Sequence, residues 1–348
     1  MINWTEPYTV DWRFVSVNPE TWDDDGDIEG VREASIDRDC TDAVPLLETA
    51  SLTIDYDVGE EFSDGWYRIV ADVYQNGAYE RVPITTQMYQ ISSDEIDYGV
   101  ATGTVSGQSV LLPALDIVMR NGAYVPKGAD GAYWVWEQLD RCIQAPVFVV
   151  GDGFTLDSYV IYDSGDTVLS ACWNVLDRGK WCLQIDGDGV VYIMEKPKDP
   201  DLEIGVDGLK LIKPSIKRSR GKAGVCNRYI ARDGDYEEIA ENNDISSPTS
   251  FVNVGRWIEF YDSNPSYING ESLWTYARRM LEEVSTLTRT YDYTREFIPE
   301  LYPFSLIRAY SAENGFVGDF RISKQKLKIG AGIEVSETGV ETEKLWRA

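Results

Sequence analysis

The residue types that most often carry catalysis are unevenly represented in this sequence. It contains 59 aspartate and glutamate residues and no histidine. The absence of histidine excludes Ser-His-Asp and Cys-His nucleophilic sites and every metal site that depends on imidazole ligands. Ser215 and Ser219 lie among lysines, but not at the start of a predicted helix, where serine–lysine sites place their S-x-x-K motif.

Carboxylates and aromatic side chains leave one enzymatic class open. Glycoside hydrolysis uses a pair of carboxylates, and aromatic side chains can line a sugar-binding groove. With 59 acidic residues, 11 tryptophans and 21 tyrosines, the chain is compatible with a glycan-active β protein that binds carbohydrate or hydrolyses it with a carboxylate pair. Because most aromatic side chains of a large β domain lie in its core or interfaces, we keep this class as the alternative function.

Two acidic segments resemble parts of calcium loops. Asp23–Asp27 lacks the alternating ligands and the twelfth-position glutamate of an EF-hand, so we expect a solvated surface loop. Asp186–Gly189 lies between two apolar segments, where a tight turn is sufficient. The five cysteines include no C-x-x-C pair, which argues against a zinc site or a disulfide framework. We predict no catalytic residue, no metal and no cofactor, and therefore no enzyme.

The charge of the chain is strongly negative and unevenly distributed. Of the formal net charge of -27, residues 1–109 contribute -18, residues 110–205 contribute -8 and residues 206–348 contribute -1. Nonspecific binding of nucleic acid depends on cations that neutralise phosphates, so this composition argues against a protein that grips DNA. A negative wall can instead repel DNA that passes close to it.

One basic segment opposes this trend. Lys210–Arg232 holds eight basic residues and no acidic residue. Like charges at this density repel each other unless water or an acidic partner screens them. The segment therefore predicts either a solvated face or a docking surface, at the entrance to a domain.

The first hundred residues show the periodicity of β-strands and almost no helical pattern. Trp66–Tyr74 and Tyr79–Ile84 flank Asn76-Gly77, and an Asn-Gly pair between two apolar segments is a strong hairpin signal because both residues accept positive φ. Further strands are predicted at residues 8–17, 52–58, 87–91 and 103–110. Together they would form an antiparallel barrel or sandwich.

Helical spacing is found farther along the chain. Apolar residues recur every three or four positions in residues 132–145, in residues 168–176 behind a cap at Asp166 or Thr167, and in residues 273–287. The remaining predicted strands are Trp181–Ile185 and Val190–Met194, which form a hairpin, and residues 288–293, 305–310, 318–325 and 326–330.

These patterns predict an α+β, β-dominated fold with three domains. We assign residues 1–109 to a first antiparallel β-barrel, residues 110–204 to a mixed α/β middle domain, and residues 205–348 to a second β-barrel with one amphipathic helix at about 270–287. Ile36–Asp39 and Ile230–Asp233 share the pattern I-x-R-D, which suggests a duplicated barrel. With no long apolar segment and no signal-peptide pattern at its start, the sequence predicts no membrane segment.

Seven segments, in order over most of the chain, carry a resemblance to a known family. They are Trp12–Trp22, Ser35–Asp57, Asp166–Pro197, Asn227–Gly234, Asn242–Trp257, Glu271–Leu281 and Tyr293–Arg308. Their order and sequence resemble the tail hub, or baseplate hub, proteins of tailed bacteriophages and related prophage tail proteins.

The resemblance implies a structural protein at the distal end of a phage tail tube. In such hubs each subunit contributes two tube-like β-barrels, so that a homotrimer presents six barrels to a hexameric tube ring. The implied partners are the tail tube protein, the distal tail protein, the tape measure protein and tip or fibre proteins, while DNA passes through without specific binding. The implied location is the virion tail, assembled in the host cytoplasm.

Under this resemblance the basic segment becomes a candidate contact between subunits or with a partner. We select Lys217, Arg218, Arg220 and Lys222 as the residues that would bind an acidic neighbour, such as the first domain of an adjacent subunit. The expected function is a hub that forms a trimeric ring, joins the tube to the tail tip and leaves a negatively charged passage for DNA.

Overall fold

The structure is a computed structural model that describes residues 2, 6–41, 44–57, 63–97, 100–120, 122–162, 165–204, 216–220, 225–263, 265, 267, 271–299, 301–311, 315–329 and 333–346. It is dominated by β-strands with few helices, which confirms the predicted β-dominated class. The described strands are β1 Thr9–Val17, β2 Asp24–Ile28, β3 Val31–Thr41, β4 Val44–Asp57, β5 Gly65–Gln75, β6 Ala78–Asp97, β7 Val100–Ser109, β8 Tyr124–Val125, β9 Val147–Val150, β10 Val160–Ile161, β11 Trp181–Ile185, β12 Val191–Glu195, β13 Leu202–Ile204, β14 Lys217–Arg220, β15 Arg228–Asp233, β16 Tyr236–Glu241, β17 Glu259–Asp262, β18 Thr286–Glu296, β19 Leu306–Ser311, β20 Gly315–Ile329 and β21 Ile333–Lys344. The described helices are α1 Leu112–Asp116, α2 Gly131–Asp140, α3 Val168–Gly179, α4 Phe251–Val254 and α5 Leu273–Val284.

The chain divides into two compact units, each built from separate stretches of sequence. The first unit comprises residues 1–216 and 292–339, and the second comprises residues 217–291 and 340–348.

In the first unit a long sheet has the strand order β20-β3-β4-β7-β6-β5-β1-β2, and residues 333–339 of β21 and 292–296 of β18 continue it beyond β20. β19 pairs antiparallel with β20, and β13 pairs parallel with β19. The register from Lys324 opposite Asp39 to Ile329 opposite Ala34 joins β20 to β3. Strands from both ends of the chain therefore complete this sheet.

The predicted Asn-Gly hairpin is confirmed. Asn76 and Gly77 have φ angles of 49° and 81°, and β5 and β6 pair antiparallel on either side of them. β5 is buried along nearly its whole length because both of its faces are covered. Ile69 lies in the apolar core on one face of β5. Trp66 packs in the core on the opposite face and donates a hydrogen bond to Gln144 at 2.6 Å.

The region after β7 supplies the helices of the first unit, and its predicted helices are confirmed with adjusted ends. Thr167 caps α3 by accepting a hydrogen bond from the amide of Ser170, and Lys180, at φ 60°, ends the helix in place of the expected glycine. The α2 helix ends at Asp140, five residues before the predicted boundary, because a turn follows it. Both helices pack with the sheet β11-β12-β9 in a single apolar core.

Three predictions differ from the observed strands. Asp23–Asp27 was expected to be a surface loop, but residues 24–28 form β2, whose backbone pairs with β1 while its carboxylates stay exposed or half-buried. The two strands predicted at 318–325 and 326–330 are one continuous strand, β20, because it pairs with β19 along its first half and β3 along its second. The shared I-x-R-D pattern has no common environment, since Arg38 is buried in an ion pair and Arg232 is exposed.

The second unit places one helix on a small sheet. Its sheet has the order β16-β15-β17, and α5 packs Tyr276, Ala277 and Leu281 against it. Ser272 caps α5 by accepting a hydrogen bond from the amide of Thr275. The helix ends at Val284, before the predicted position 287, because β18 begins at Thr286.

Candidate interaction surfaces

Two of the four predicted contact residues lie exposed on one short strand. Lys217 and Arg218 are exposed on β14, Arg220 ends this strand, and Lys222 lies outside the described residues. β14 pairs with β18, which contains Tyr291. Burial and the hydrogen bond to Glu341 raise the pKa of Tyr291 to about 12, and the positive charge of Arg218 partly opposes this rise. Lys217 and Arg218 are consecutive residues of β14, and their binding to an acidic neighbour stays a prediction.

The acidic strand β2 is partly neutralised by arginines of its own unit. Asp24 accepts hydrogen bonds from the buried Arg68 and from Arg81, the latter at 2.5 Å. Asp27 pairs with Arg13 at 3.1 Å. Within the described ranges, no group of three or more histidine, cysteine, aspartate and glutamate side chains could hold a metal ion. The segment is an ion-paired strand.

The predicted tight turn at Asp186–Gly189 is confirmed, and it also docks on the long sheet. The carbonyl of Gly187 accepts a hydrogen bond from the Thr86 hydroxyl at 3.0 Å, and the carbonyl of Asp188 accepts one from the Trp22 indole at 2.8 Å. A Cβ atom on Gly187 would lie 1.9 Å from the Pro83 carbonyl oxygen, so the approach requires glycine.

Asp186 is the first residue of this turn, and its environment is structural. Burial raises the pKa of its carboxyl group, while hydrogen bonds from the Val190 amide and the Tyr192 hydroxyl partly oppose the rise. Those two donors, at 2.9 and 3.0 Å, hold the carboxylate inside the turn. A raised pKa is one feature of a general acid, but here the carboxylate is committed to closing the hairpin.

A buried polar network crosses the core of the first unit, and none of its members was a predicted site residue. Arg295 and Glu337 are fully buried and form two hydrogen bonds of 2.5 and 2.9 Å. Arg38 and Glu48 form a second buried pair at 2.8 Å. Gln325 connects the pairs, since its carbonyl accepts a hydrogen bond from Arg38 and its amide donates one to Glu337. Each charge is matched by another, so the network is structural.

Small hydroxyl side chains occupy part of one face of the long sheet. The strand registers place Ser35 opposite Ser51 and Ser51 opposite Ser106, so three serines form a row across β3, β4 and β7. Thr53 and Thr104 form the adjacent row across β4 and β7. All five side chains are exposed or half-buried. We call these five residues the hydroxyl face.

Lysines of β20 border the hydroxyl face. Lys324 and Lys326 pair with Asp39 and Asp37 of β3 at 2.6 and 3.1 Å, and Lys328 stands opposite Ser35. Serine is depleted in protein interfaces, whose cores are rich in aromatic side chains. The hydroxyl face is therefore better suited to contact with water than to a protein interface.

A groove of about 420 Å³ lies beside β1, β2 and β3. Trp12 and Phe14 contribute aromatic surface, and Glu29 and Glu33 contribute carboxylates. The other charged side chains that line the groove are ion-paired. Arg13 pairs with Asp27 and with Asp72, and Arg32 pairs with Asp55. Aromatic side chains and carboxylates in one groove are the residue types that the glycan-active alternative would use.

None of the described helices is both long enough and apolar enough to cross a bilayer.

Comparisons with known proteins identify the fold. No family model and no curated protein matches the sequence. Among solved structures, the chain resembles the tail protein from Neisseria meningitidis MC58, with a TM-score of 0.62 and 12% identity over 98% of each chain. It also resembles the 43 kDa tail protein of prophage MuSo2 from Shewanella oneidensis, with a TM-score of 0.59 and 13% identity over 96% of this chain and 98% of that one. The prophage tail protein gp18 from Listeria monocytogenes EGD-e gives a TM-score of 0.53 and 9% identity over 95% and 94% of the two chains.

At identities this low, similarity of structure establishes the fold, while function has to be argued from surfaces and sites. The similarity extends over nearly the full length of this chain and of each of those proteins. It agrees with the resemblance carried by the seven sequence segments: this chain has the fold of bacteriophage and prophage tail proteins.

Proposed function

We propose that this protein is a structural hub at the distal end of a bacteriophage tail tube. The observation that carries the proposal is the end-to-end similarity of fold to prophage tail proteins. Three subunits would form a homotrimeric ring, with two tube-like β-barrels in each subunit, so that six barrels meet a hexameric tube. The ring would join the tube to the tail tip and leave a negatively charged passage for DNA.

The proposal assigns a role to each part of the chain. Residues 1–109 and 205–348 would form the two tube-like barrels, and residues 110–204 the middle domain. The partners would be the tail tube protein, the distal tail protein, the tape measure protein and tip or fibre proteins. The hub would act in the virion tail after assembly in the host cytoplasm, without catalysis and without a cofactor.

We assign the hydroxyl face to the wall of the passage. Short hydroxyl groups give a hydrated surface. Lys324 and Lys326 of β20, two of the cations beside it that could hold phosphates, are already paired with Asp39 and Asp37. Holding DNA requires cations that displace its counterions. A face with so few unpaired cations, on a chain with a net charge of -27, would let DNA slide past.

The oligomeric state tests the hub directly. Native mass spectrometry of the purified chain is expected to give a mass near three times 39.3 kDa, and electron microscopy of the same sample is expected to show rings. A chain that stays monomeric at every concentration, with and without its tube protein, would contradict the proposal.

The basic strand β14 is the proposed contact with an acidic neighbour. Reversal of Lys217, Arg218 and Arg220 to glutamate should weaken ring assembly, and most strongly at low ionic strength, because salt screens the repulsion that reversal creates. A matched control reverses Lys127, Lys180 and Lys198, three exposed lysines of the middle region. Equal effects of the two triple variants would assign the loss to net charge instead of to β14.

The groove at Trp12 keeps the glycan-active alternative testable. If that alternative holds, the chain should bind or hydrolyse a member of a polysaccharide panel, and Trp12→Ala should abolish the signal. Glycan binding by a monomeric chain would favour the alternative over the hub.

A further inference from the structure

The second half of β6 has a neighbouring strand on one side only. β5 pairs with the first half, and its first residue, Gly65, lies opposite Tyr89. Residues 93–97 pair in regular register with β7, and β7 is their only partner among the strands that the structure describes. We call residues 93–97 the β6 arm. Its free edge presents peptide N–H and C=O groups that a further strand can bind.

Charge restricts which strand the β6 arm can accept. Three of its five residues are acidic, and none is lysine, arginine or proline. Ser93 and Glu95 are exposed on the face that they share with Thr104 and Thr102. Like charges on paired strands are destabilising, and opposite charges are stabilising. The arm is therefore open to backbone pairing and suited to a basic strand.

The strand β14 is a second edge, and it has the opposite charge. Its sequence KRSR holds three cations and no carboxylate. Among the described strands it pairs with β18 alone. Lys217, Arg218 and Ser219 are all exposed. Because consecutive residues of a strand point to opposite faces, both faces of β14 are uncovered, as is one of its edges.

Of the pairings that these two edges allow between copies, only one brings opposite charges together. Two arms would place carboxylates beside carboxylates, and two β14 strands would place cations beside cations. Each copy of the chain carries both edges once. A head-to-tail contact between the arm of one copy and β14 of the next uses both edges of every copy when a ring closes. A second copy is therefore the occupant that the charges of the chain itself favour.

The hydroxyl face gives an independent reason to expect a strand at this edge. Ser93 lies opposite Thr104, so the row of Thr53 and Thr104 continues onto the β6 arm and, within the described strands, ends there. The serine row continues in the same way, since Gln90 lies opposite Ser106. If this face lines the proposed passage, the wall that one copy supplies stops at β6. A strand of the next copy would continue it.

We propose that β14 of one copy pairs with the β6 arm of the next copy and so joins the subunits of the ring. The inference rests on the proposed function, because it names the contact that the ring requires. Backbone hydrogen bonds would connect the sheets of the two copies. The three cations of β14 would stand against the three acidic residues of the arm and select this pairing over the others.

The test is a charge swap in the full chain. One variant reverses β14 by Lys217→Glu, Arg218→Glu and Arg220→Glu, and a second reverses the arm by Asp94→Lys, Glu95→Lys and Asp97→Lys. In light scattering, each is expected to raise the chain concentration at half-assembly at least about tenfold, because like charges then meet across the pair. A chain that carries both sets is expected to assemble within about threefold of wild type.

The matched control combines the β14 reversal with Asp152→Lys, Asp157→Lys and Asp199→Lys, at three exposed positions of the first unit. It has the same net charge as the swap but no cations on the arm, so it should assemble as poorly as the β14 variant. Hydrogen exchange of the wild-type chain gives a readout that needs no variant to fold. Amides of residues 93–97 should exchange more slowly in the ring than in the dissociated chain.

Weak assembly of both single-set variants with recovery in the swap supports the proposal. A swap chain that melts like wild type but does not recover, or a control that recovers equally, overturns the pairing and leaves the hub standing. So does unchanged exchange of the arm when the ring forms, since the arm would then be free or bound to a different protein. A wild-type chain that forms no ring would overturn the proposed function, and the inference with it.

Discussion

Arg295 and Glu337 show what a matched buried ion pair requires from its surroundings. Both side chains are fully buried, and each partner supplies the hydrogen bonds that the other needs. We predict that Glu337→Gln lowers the free energy of unfolding by about 3–5 kcal/mol, because the guanidinium of Arg295 stays buried without a counter-charge. Urea denaturation followed by tryptophan fluorescence measures the change.

The control for this prediction is the same substitution at an exposed pair of the same unit. Glu137 pairs with Arg141 one helical turn away, and both side chains are exposed. Glu137→Gln should cost less than about 0.5 kcal/mol, since solvent screens such pairs. Similar losses in both variants would show that burial of the Arg295 pair adds nothing.

Asp186 gives the stability of the protein a specific dependence on pH. Its pKa is raised in the folded protein, chiefly by burial, so the folded state binds the proton more tightly than the unfolded state. The free energy of unfolding should therefore fall as pH rises from the ordinary aspartate pKa of 3.8 through the raised value. Asp186→Asn should flatten this part of the profile, and an unchanged slope in that variant would contradict the prediction.

Among the elements, the hairpin of β11 and β12 depends most clearly on one close contact between its turn and the backbone of β6. Gly187 lies so close to the Pro83 carbonyl that a methyl group cannot be accommodated without displacing the turn. We predict that Gly187→Ala lowers the free energy of unfolding by about 1–3 kcal/mol. Gly26→Ala is the control, since its Cβ would make an ordinary contact with the Ser16 hydroxyl at 3.8 Å. Thermal unfolding of both variants measures the difference, and equal melting temperatures would contradict the prediction for Gly187.

Sequence periodicity predicts elements well where one face is buried and the local signals agree. The α3 and α5 helices have apolar residues at helical spacing and a serine or threonine cap, and both form where predicted. β2 was missed because its three aspartates and its glycine give no strand signal. Its carboxylates are neutralised by Arg13 of β1 and by Arg68 and Arg81, which come from distant parts of the sequence.

Register is the information that the sequence does not contain. The serine row of the hydroxyl face exists because β3, β4 and β7 align Ser35, Ser51 and Ser106. The buried network did leave one local signal. Arg38 occupies an inward position of β3, in line with the buried Ile36 and Cys40, and a charged residue on an apolar strand face indicates a buried partner. Its partners, Glu48 and Gln325, could not be identified without the register.

At the scale of the whole molecule, the net charge of -27 should prevent binding of duplex DNA at physiological salt. We predict that Asp37→Asn with Asp39→Asn gives measurable affinity, because Lys324 and Lys326 lose their partners beside Lys328. Fluorescence anisotropy with labelled duplex should show a dependence on salt with a slope of about -2, as expected for two phosphate contacts. Asp152→Asn with Asp157→Asn changes the net charge equally at exposed positions and should not bind. Binding by both variants would contradict the assignment to the β20 lysines.

The pairing of β3 with β20 has a consequence for synthesis of the chain. Arg38 reaches Gln325 across 287 positions of sequence, so β3 leaves the ribosome long before the strand that will cover its edge. At translation rates of about 5–20 residues per second, that interval lasts roughly 15–60 s. Throughout it, the nascent chain exposes an unpaired strand edge and the guanidinium of Arg38 without Gln325. Aggregation and chaperone capture should therefore be most probable for chains stalled before residue 325, and a ribosome-profiling pause in β19 would be more harmful to yield than one in β5.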